Sequence, residues 1–239
     1  MNEFSRTERL IGTEGLERLR HSSVAAFGVG GVGSHCITAL ARSGVGRFLL
    51  VDPDQVAFSN INRQSIAGHS TVGRHKTHVM REQIADINPQ ALVETRETFV
   101  LPENLEEVWG GLSWRPDYIV DAVDTVSAKL AIAEYAHTHR IPLISAMGTG
   151  NKLYPELFEI ADLAQTSVCP LCRVMRRELK KRGIEHLRVV YSRESPRKPL
   201  PVSGEEETDP RTPSSISFVP PVAGLLMAGE VIRGLSGVS

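Results

Sequence analysis

The stretch Val24-Ala25-Ala26-Phe27-Gly28-Val29-Gly30-Gly31-Val32-Gly33-Ser34 decides the fold. Four apolar residues make a short buried strand, and the glycines turn it sharply into the next element. Gly28, Gly30 and Gly33 satisfy G-x-G-x-x-G, with Gly31 a further position lacking Cβ. Glycines so placed let the first amides of a helix approach a phosphate closely. Ser34–Arg42 reads as that helix, ended by Gly44-Val45-Gly46, and Phe48–Val51 as the next strand. Asp52 stands at that strand's end, 19 residues beyond Gly33, where a carboxylate can hold ribose hydroxyls. This order predicts a bound nucleotide.

Outward from there, Lys76–Ile87 has helical spacing and stops at Asn88-Pro89. Leu92–Thr95 and Tyr118–Val120 read as strands, Ser127–His139 as a helix, and Pro142–Ala146 as a strand. Strands alternating with helices predict an α/β fold, Rossmann-like, with a mostly parallel sheet covered on both faces. After Gly150 the pattern changes. Cys169–Gly183 is a basic helical stretch, Val189–Tyr191 a strand, and Ser192–Ser214 reads as a mobile crossover. Ser217–Leu235 predicts a closing helix. The expectation is a single domain over 1–239, with a nucleotide-binding core in 1–150 and a substrate and crossover region in 151–239.

Composition limits the function classes. The hydrophobic fraction of 41% and the net charge of −1 describe an ordinary globular chain, with no global signal for nucleic acid or membrane. No apolar run reaches membrane-span length, and the charged N-terminus lacks a signal-peptide core. Three cysteines fit a reducing, cytoplasmic setting better than a disulfide framework. His75 and His78 flank Lys76 without an acid or cysteine at ligand spacing, so they read as structural.

A second cluster narrows the chemistry. Asp52 and Asp54, Asn60 and Asn62, and Arg63 all follow the second strand, beside any nucleotide held by the glycines. A redox dinucleotide site needs only the first acid. Breaking ATP to activate a carboxylate needs the whole set, because cations such as Arg63 and Lys76 must stabilise departing pyrophosphate. Taken alone, Lys76 also fits a solvated helix residue. Asp124 follows the Tyr118–Val120 strand and suits either a magnesium ligand or a helix N-cap.

The glycine run, with Leu50-Val51-Asp52-Pro53-Asp54-Gln55-Val56 and Asn60-Ile61-Asn62-Arg63-Gln64, resembles the ThiF/MoeB family related to ubiquitin-activating enzymes. The resemblance implies adenylation of a carboxylate with MgATP on a Rossmann-like fold, in a homodimer. It implies that Gly30 and Gly31 cradle phosphate and that Asp52 takes the ribose. Asp54, Asn60, Arg63 and Lys76 would surround the triphosphate, Asp124 would hold Mg2+, and Arg6 would enter the partner subunit's site.

The choice of carboxylate rests on the second half of the chain. One pair, Cys169-Pro170-Leu171-Cys172, cannot supply the four thiolates of the zinc site common among activators of sulfur carriers. The pair reads as two ordinary thiols at a helix start. Between Arg173 and Lys198 ten Lys/Arg face only Glu178, Glu185 and Glu194, and segregated positive charge suits a polyanion such as RNA. The stretches 4–12, 39–46, 166–179 and 215–220 resemble the subfamily of tRNA threonylcarbamoyladenosine dehydratases. That resemblance implies tRNA as substrate, with a sulfur-transfer accessory protein as a further partner. Three alternatives stay open at this stage: an adenylyltransferase acting on the C-terminal glycine of a sulfur-carrier protein, a nicotinamide-dependent oxidoreductase, and a nucleotide-sensing module.

Overall fold

The computed structural model describes residues 2–200 and 213–238. At its centre lies β1 (Ser23–Phe27), buried along its whole length because strands flank it on both sides and helices cover both faces. The sheet continues with β2 (Arg47–Val51), β3 (Leu92–Arg96), β4 (Tyr118–Asp121), β5 (Leu143–Ala146), β6 (Phe158–Asp162) and β7 (Arg188–Ser192). Its spatial order is β3-β2-β1-β4-β5-β7-β6. Every pairing is parallel except β6 with β7. The chain runs outward from β1 to β3, then crosses back to β4 on β1's other side. Such a switch point opens a crevice at the carboxyl ends of the central strands.

The helices are α1 (Ser5–His21), α2 (Gly33–Arg42), α3 (Lys76–Ile87), α4 (Leu105–Val108), α5 (Val126–His139), α6 (Pro170–Lys180) and α7 (Val219–Ser236). Alternating strand residues feed two cores. Val24, Ala26, Phe48 and Leu50 pack with Leu19 of α1, Ile37 and Leu40 of α2, Met80 of α3 and Met227 of α7. Ala25, Phe27, Leu49 and Val51 pack with Ile132 of α5 and Met175 and Leu179 of α6. Among the described residues no helix is long and apolar enough to cross a membrane.

Two elements are additions to the sequence reading and one boundary changes. The charged N-terminal stretch is a helix, interrupted where Gly12 adopts φ 77° and ψ 165°. β6 is an additional edge strand. The crossover expected from Ser192 begins later: Ser192 ends β7 and Glu194 is buried, while residues 201–212 of that stretch lie outside the described residues.

Candidate active site

A cleft of about 370 Å³ opens at the carboxyl ends of β1, β2 and β4. Its floor is the turn after β1. Gly28 has φ +90°, and a Cβ there would lie 2.6 Å from the Ala122 carbonyl oxygen. A Cβ on Gly33 would sit 1.9 Å from the Gly28 carbonyl oxygen. These two glycines are required by close packing of loop, helix and neighbouring strand. Gly30 is different: the nearest atom to a Cβ there is Gln64 Nε2 at 3.8 Å. Gly30 and Gly31 line the cleft, and the Arg63 stem packs 3.3 Å from where a Gly31 Cβ would lie.

Asp52 braces this floor. Its buried carboxylate accepts from Val29 N–H at 2.7 Å and from Asp54 N–H at 2.9 Å. Burial pushes its pKa up, opposed by Lys76 and these two amides. Lys76, in the first turn of α3, is not a solvated helix residue. It is 6% exposed, donates to Asp54 at 2.7 Å and lies 3.9 Å from Asp52. Asn60 is buried and accepts from Ala57 N–H at 3.0 Å, fixing the turn that carries Arg63. The Arg63 guanidinium donates to the Ser59 carbonyl at 2.9 Å and to Asn62 at 3.0 Å. No carboxylate pairs with it among the described residues, and burial pulls its pKa down.

Asp124 is exposed on the opposite wall and lines the same cleft. The N-cap of α5 is Thr125, without a side-chain capping bond, so the capping alternative for Asp124 does not hold. Its carboxylate accepts only a 3.3 Å bond from the neighbouring Thr125 hydroxyl among the described residues. One exposed carboxylate facing the glycine loop across the cleft fits Mg2+, which takes one or two protein ligands and fills the rest of its shell with phosphate and water. Arg6 is exposed on α1 and does not line this cleft.

The structure adds residues that the spacing did not single out. Gln64 is buried beside Gly30, with its Oε1 unpartnered. Asn151 holds a strap over one end of the cleft, accepting from Ser214 N–H at 2.8 Å. Asn62 donates to the Ser215 carbonyl at 3.2 Å from the other wall. Behind Asp124 lies a fully buried Lys129, on an Ala-rich helix whose sequence does not set it apart from an exposed lysine. Cys169 and Cys172 are buried at the start of α6 and do not line the cleft. Among the described residues no group of three or more His, Cys, Asp or Glu could hold a metal ion by itself.

The basic stretch is less free than its composition suggests. Arg177 and Lys181 pair with Glu178, Arg182 with Glu134, Arg188 with Glu230, Arg193 with Glu159 and Arg197 with Glu194. Arg176 turns inward to the Leu163 carbonyl and Thr166. Arg173 and Lys180 have no carboxylate partner among the described residues.

A glycine loop, a buried acid, two cations and an opposing carboxylate therefore meet in one crevice. The ThiF family profile matches residues 4–239. The chain belongs to the ThiF family. This ThiF protein is 44% identical over 247 residues to the tRNA threonylcarbamoyladenosine dehydratase of Bacillus subtilis, covering 98% of this chain and 95% of that one. It is similar to the crystal structure of the E. coli tRNA N6-threonylcarbamoyladenosine dehydratase TcdA in complex with ATP, with TM-score 0.87 and 30% identity. That match covers 98% of this chain and 94% of the other. The molybdopterin-synthase adenylyltransferase of Salmonella typhimurium is 32% identical over 132 residues, covering 55% of this chain and 51% of that one.

Proposed function

We propose that this ThiF protein is an ATP-dependent dehydratase acting on threonylcarbamoyladenosine in tRNA, adenylating its carboxylate and promoting cyclisation with release of AMP and pyrophosphate. One observation carries the adenylation chemistry: Lys76, buried and held by Asp54, and Arg63, without a carboxylate partner, stand against the glycine cradle. The near-full-length likeness to the B. subtilis dehydratase supports the choice of substrate.

A carboxylate is a poor electrophile because oxide would have to leave. In this reading a carboxylate oxygen attacks the α-phosphorus of ATP, a new O–P bond forms and pyrophosphate departs. Arg63 and Lys76 stabilise the charge on the pentacoordinate phosphorus and the leaving group. Asp52 holds the ribose, and the amides at Gly30 and Gly31 hold phosphate. Asp124 would hold Mg2+, which neutralises phosphate charge. The activated carboxyl then lies within ring-closing distance of its own carbamoyl group, so effective molarity replaces a protein nucleophile. Ring closure expels AMP, which keeps the carboxylate oxygen. No cysteine is needed, which agrees with the cleft lining.

Residues 1–150 form the nucleotide core in this reading, and 151–239 shape the acceptor side. In a homodimer Arg6 would reach the partner subunit's cleft. Arg173 and Lys180 are the cations best placed to meet tRNA phosphate, and a sulfur-transfer accessory protein would dock outside the cleft. The test incubates threonylcarbamoyladenosine-containing tRNA with the protein and MgATP, following nucleosides by mass spectrometry and AMP in parallel. A nucleoside lighter by one water, formed together with AMP, is expected. An unchanged nucleoside, with AMP formation stimulated by a small ubiquitin-like carrier protein, would favour the sulfur-carrier adenylyltransferase instead.

A further inference from the structure

Lys129 is the most deeply buried cation of the described residues, 1% exposed, on a helix whose other buried positions are Ala, Leu and Ile. Its ammonium has three donors and three partners. It donates to Asp121 Oδ2 at 3.0 Å, to the Ser145 hydroxyl oxygen at 3.3 Å and to the Ala146 carbonyl at 2.7 Å. Asp121 is equally enclosed. The Ser145 hydroxyl donates to its Oδ2 at 2.5 Å, and the Val123 N–H donates to its Oδ1 at 3.2 Å.

Asp121 is the last residue of β4, and Ala146 the last of β5. Each is followed by a loop that lines the cleft: Ala122–Thr125 after β4, and Thr149–Gly150 after β5. The cluster thus fastens the roots of two wall loops to one helix. Well-packed hydrophobic side chains of similar volume usually match or exceed the stability of a buried ion pair. Stability alone therefore gives little reason for a lysine here, whereas a hydrogen-bonded cation fixes the direction of the backbone leaving both strands.

We infer that Lys129 and Asp121 are positioning residues that set the loop carrying Asp124 against the phosphate cradle. The inference rests on the proposed role of Asp124 in the adenylating cleft. Neither side chain lines the cleft, so both act through that loop.

The test is a mutant cycle. Removing one charge alone leaves the other buried and unpaired, so the pair is changed together, as Asp121→Asn with Lys129→Gln. Ser145→Ala, which removes one bond to each partner, serves as a milder second variant. Thermal unfolding identifies which variants fold. For a folded variant, kcat for AMP formation should fall roughly 10- to 100-fold, the scale of small misplacements. KM for ATP should move less than about threefold, because the glycine floor and Asp52 are untouched. Added to Asp124→Ala, the same change should cost nothing further, since coupled residues are non-additive. A kcat loss that multiplies with that of Asp124→Ala, or an unchanged kcat in a folded variant, overturns the inference. If the wild-type protein forms no AMP from threonylcarbamoyladenosine-containing tRNA, the substrate reading fails, and the cycle is read on the gain in ATP affinity that added magnesium produces. There the double variant and Asp124→Ala should lose the same increment without addition; independent losses again overturn it.

Discussion

The Lys76 ammonium donates to Asp54 at 2.7 Å and lies 3.9 Å from Asp52, so one cation links both carboxylates at the end of β2. The arrangement costs desolvation of Lys76 and Asp52, and it fixes a positive charge in the cleft lined by the glycine loop.

Lys76→Met should lower kcat about 100- to 1,000-fold, the usual effect of removing a preorganised charge. Asp52 would lose the cation that opposes its burial, so its pKa would rise further above 3.8. The sign follows by linkage: an ionised, buried Asp52 without its cation disfavours the folded state, and a protonated one does not. The stability gap between wild type and variant should therefore be wide at neutral pH and close as pH falls. Urea unfolding at several pH values measures it.

Two glycines in one loop should behave oppositely. Gly33→Ala forces a Cβ into the Gly28 carbonyl at 1.9 Å and should destabilise by about 1–3 kcal/mol or more, read as a lower Tm. Gly30→Ala meets only an ordinary contact with Gln64 at 3.8 Å and should keep Tm while weakening ATP binding, read by calorimetry.

Asp124 caps no helix, so Asp124→Ala should leave stability within about 0.5 kcal/mol of wild type. AMP formation should nonetheless fall roughly 100- to 1,000-fold. A matching fall in Tm would return Asp124 to a structural role.

Glu194 gives a pH signature away from the cleft. Burial pushes its pKa up, but the Tyr154 and Leu153 amides and Arg197 outweigh this and hold it below 4.5. Its contribution is present above pH 4.5 and is lost as pH falls through the depressed value. Glu194→Gln should flatten the acid limb of the stability curve measured by denaturant unfolding.

The core of β1, α2 and β2 was legible because glycines and uninterrupted apolar runs are local signals. β6 was not: it is an edge strand with charges at Glu159 and Asp162, and its pairing to β7 is non-local. α1 was hidden by its charge and by the break at Gly12. The cations between Arg173 and Lys198 read as a field, yet Glu134, Glu159 and Glu230 from other elements quench part of it. Lys76 and Lys129 look alike in sequence to any exposed lysine. Only the acids brought to them by neighbouring strands show why they are buried.

The most direct test of the account uses threonylcarbamoyladenosine-containing tRNA with heavy oxygen in the threonyl carboxylate. Incubated with the protein and MgATP, it should give AMP carrying one heavy oxygen in its phosphate, because the carboxylate attacks the α-phosphorus. Dehydration with unlabelled AMP, or with ADP and labelled inorganic phosphate, would contradict adenylation as the activating step.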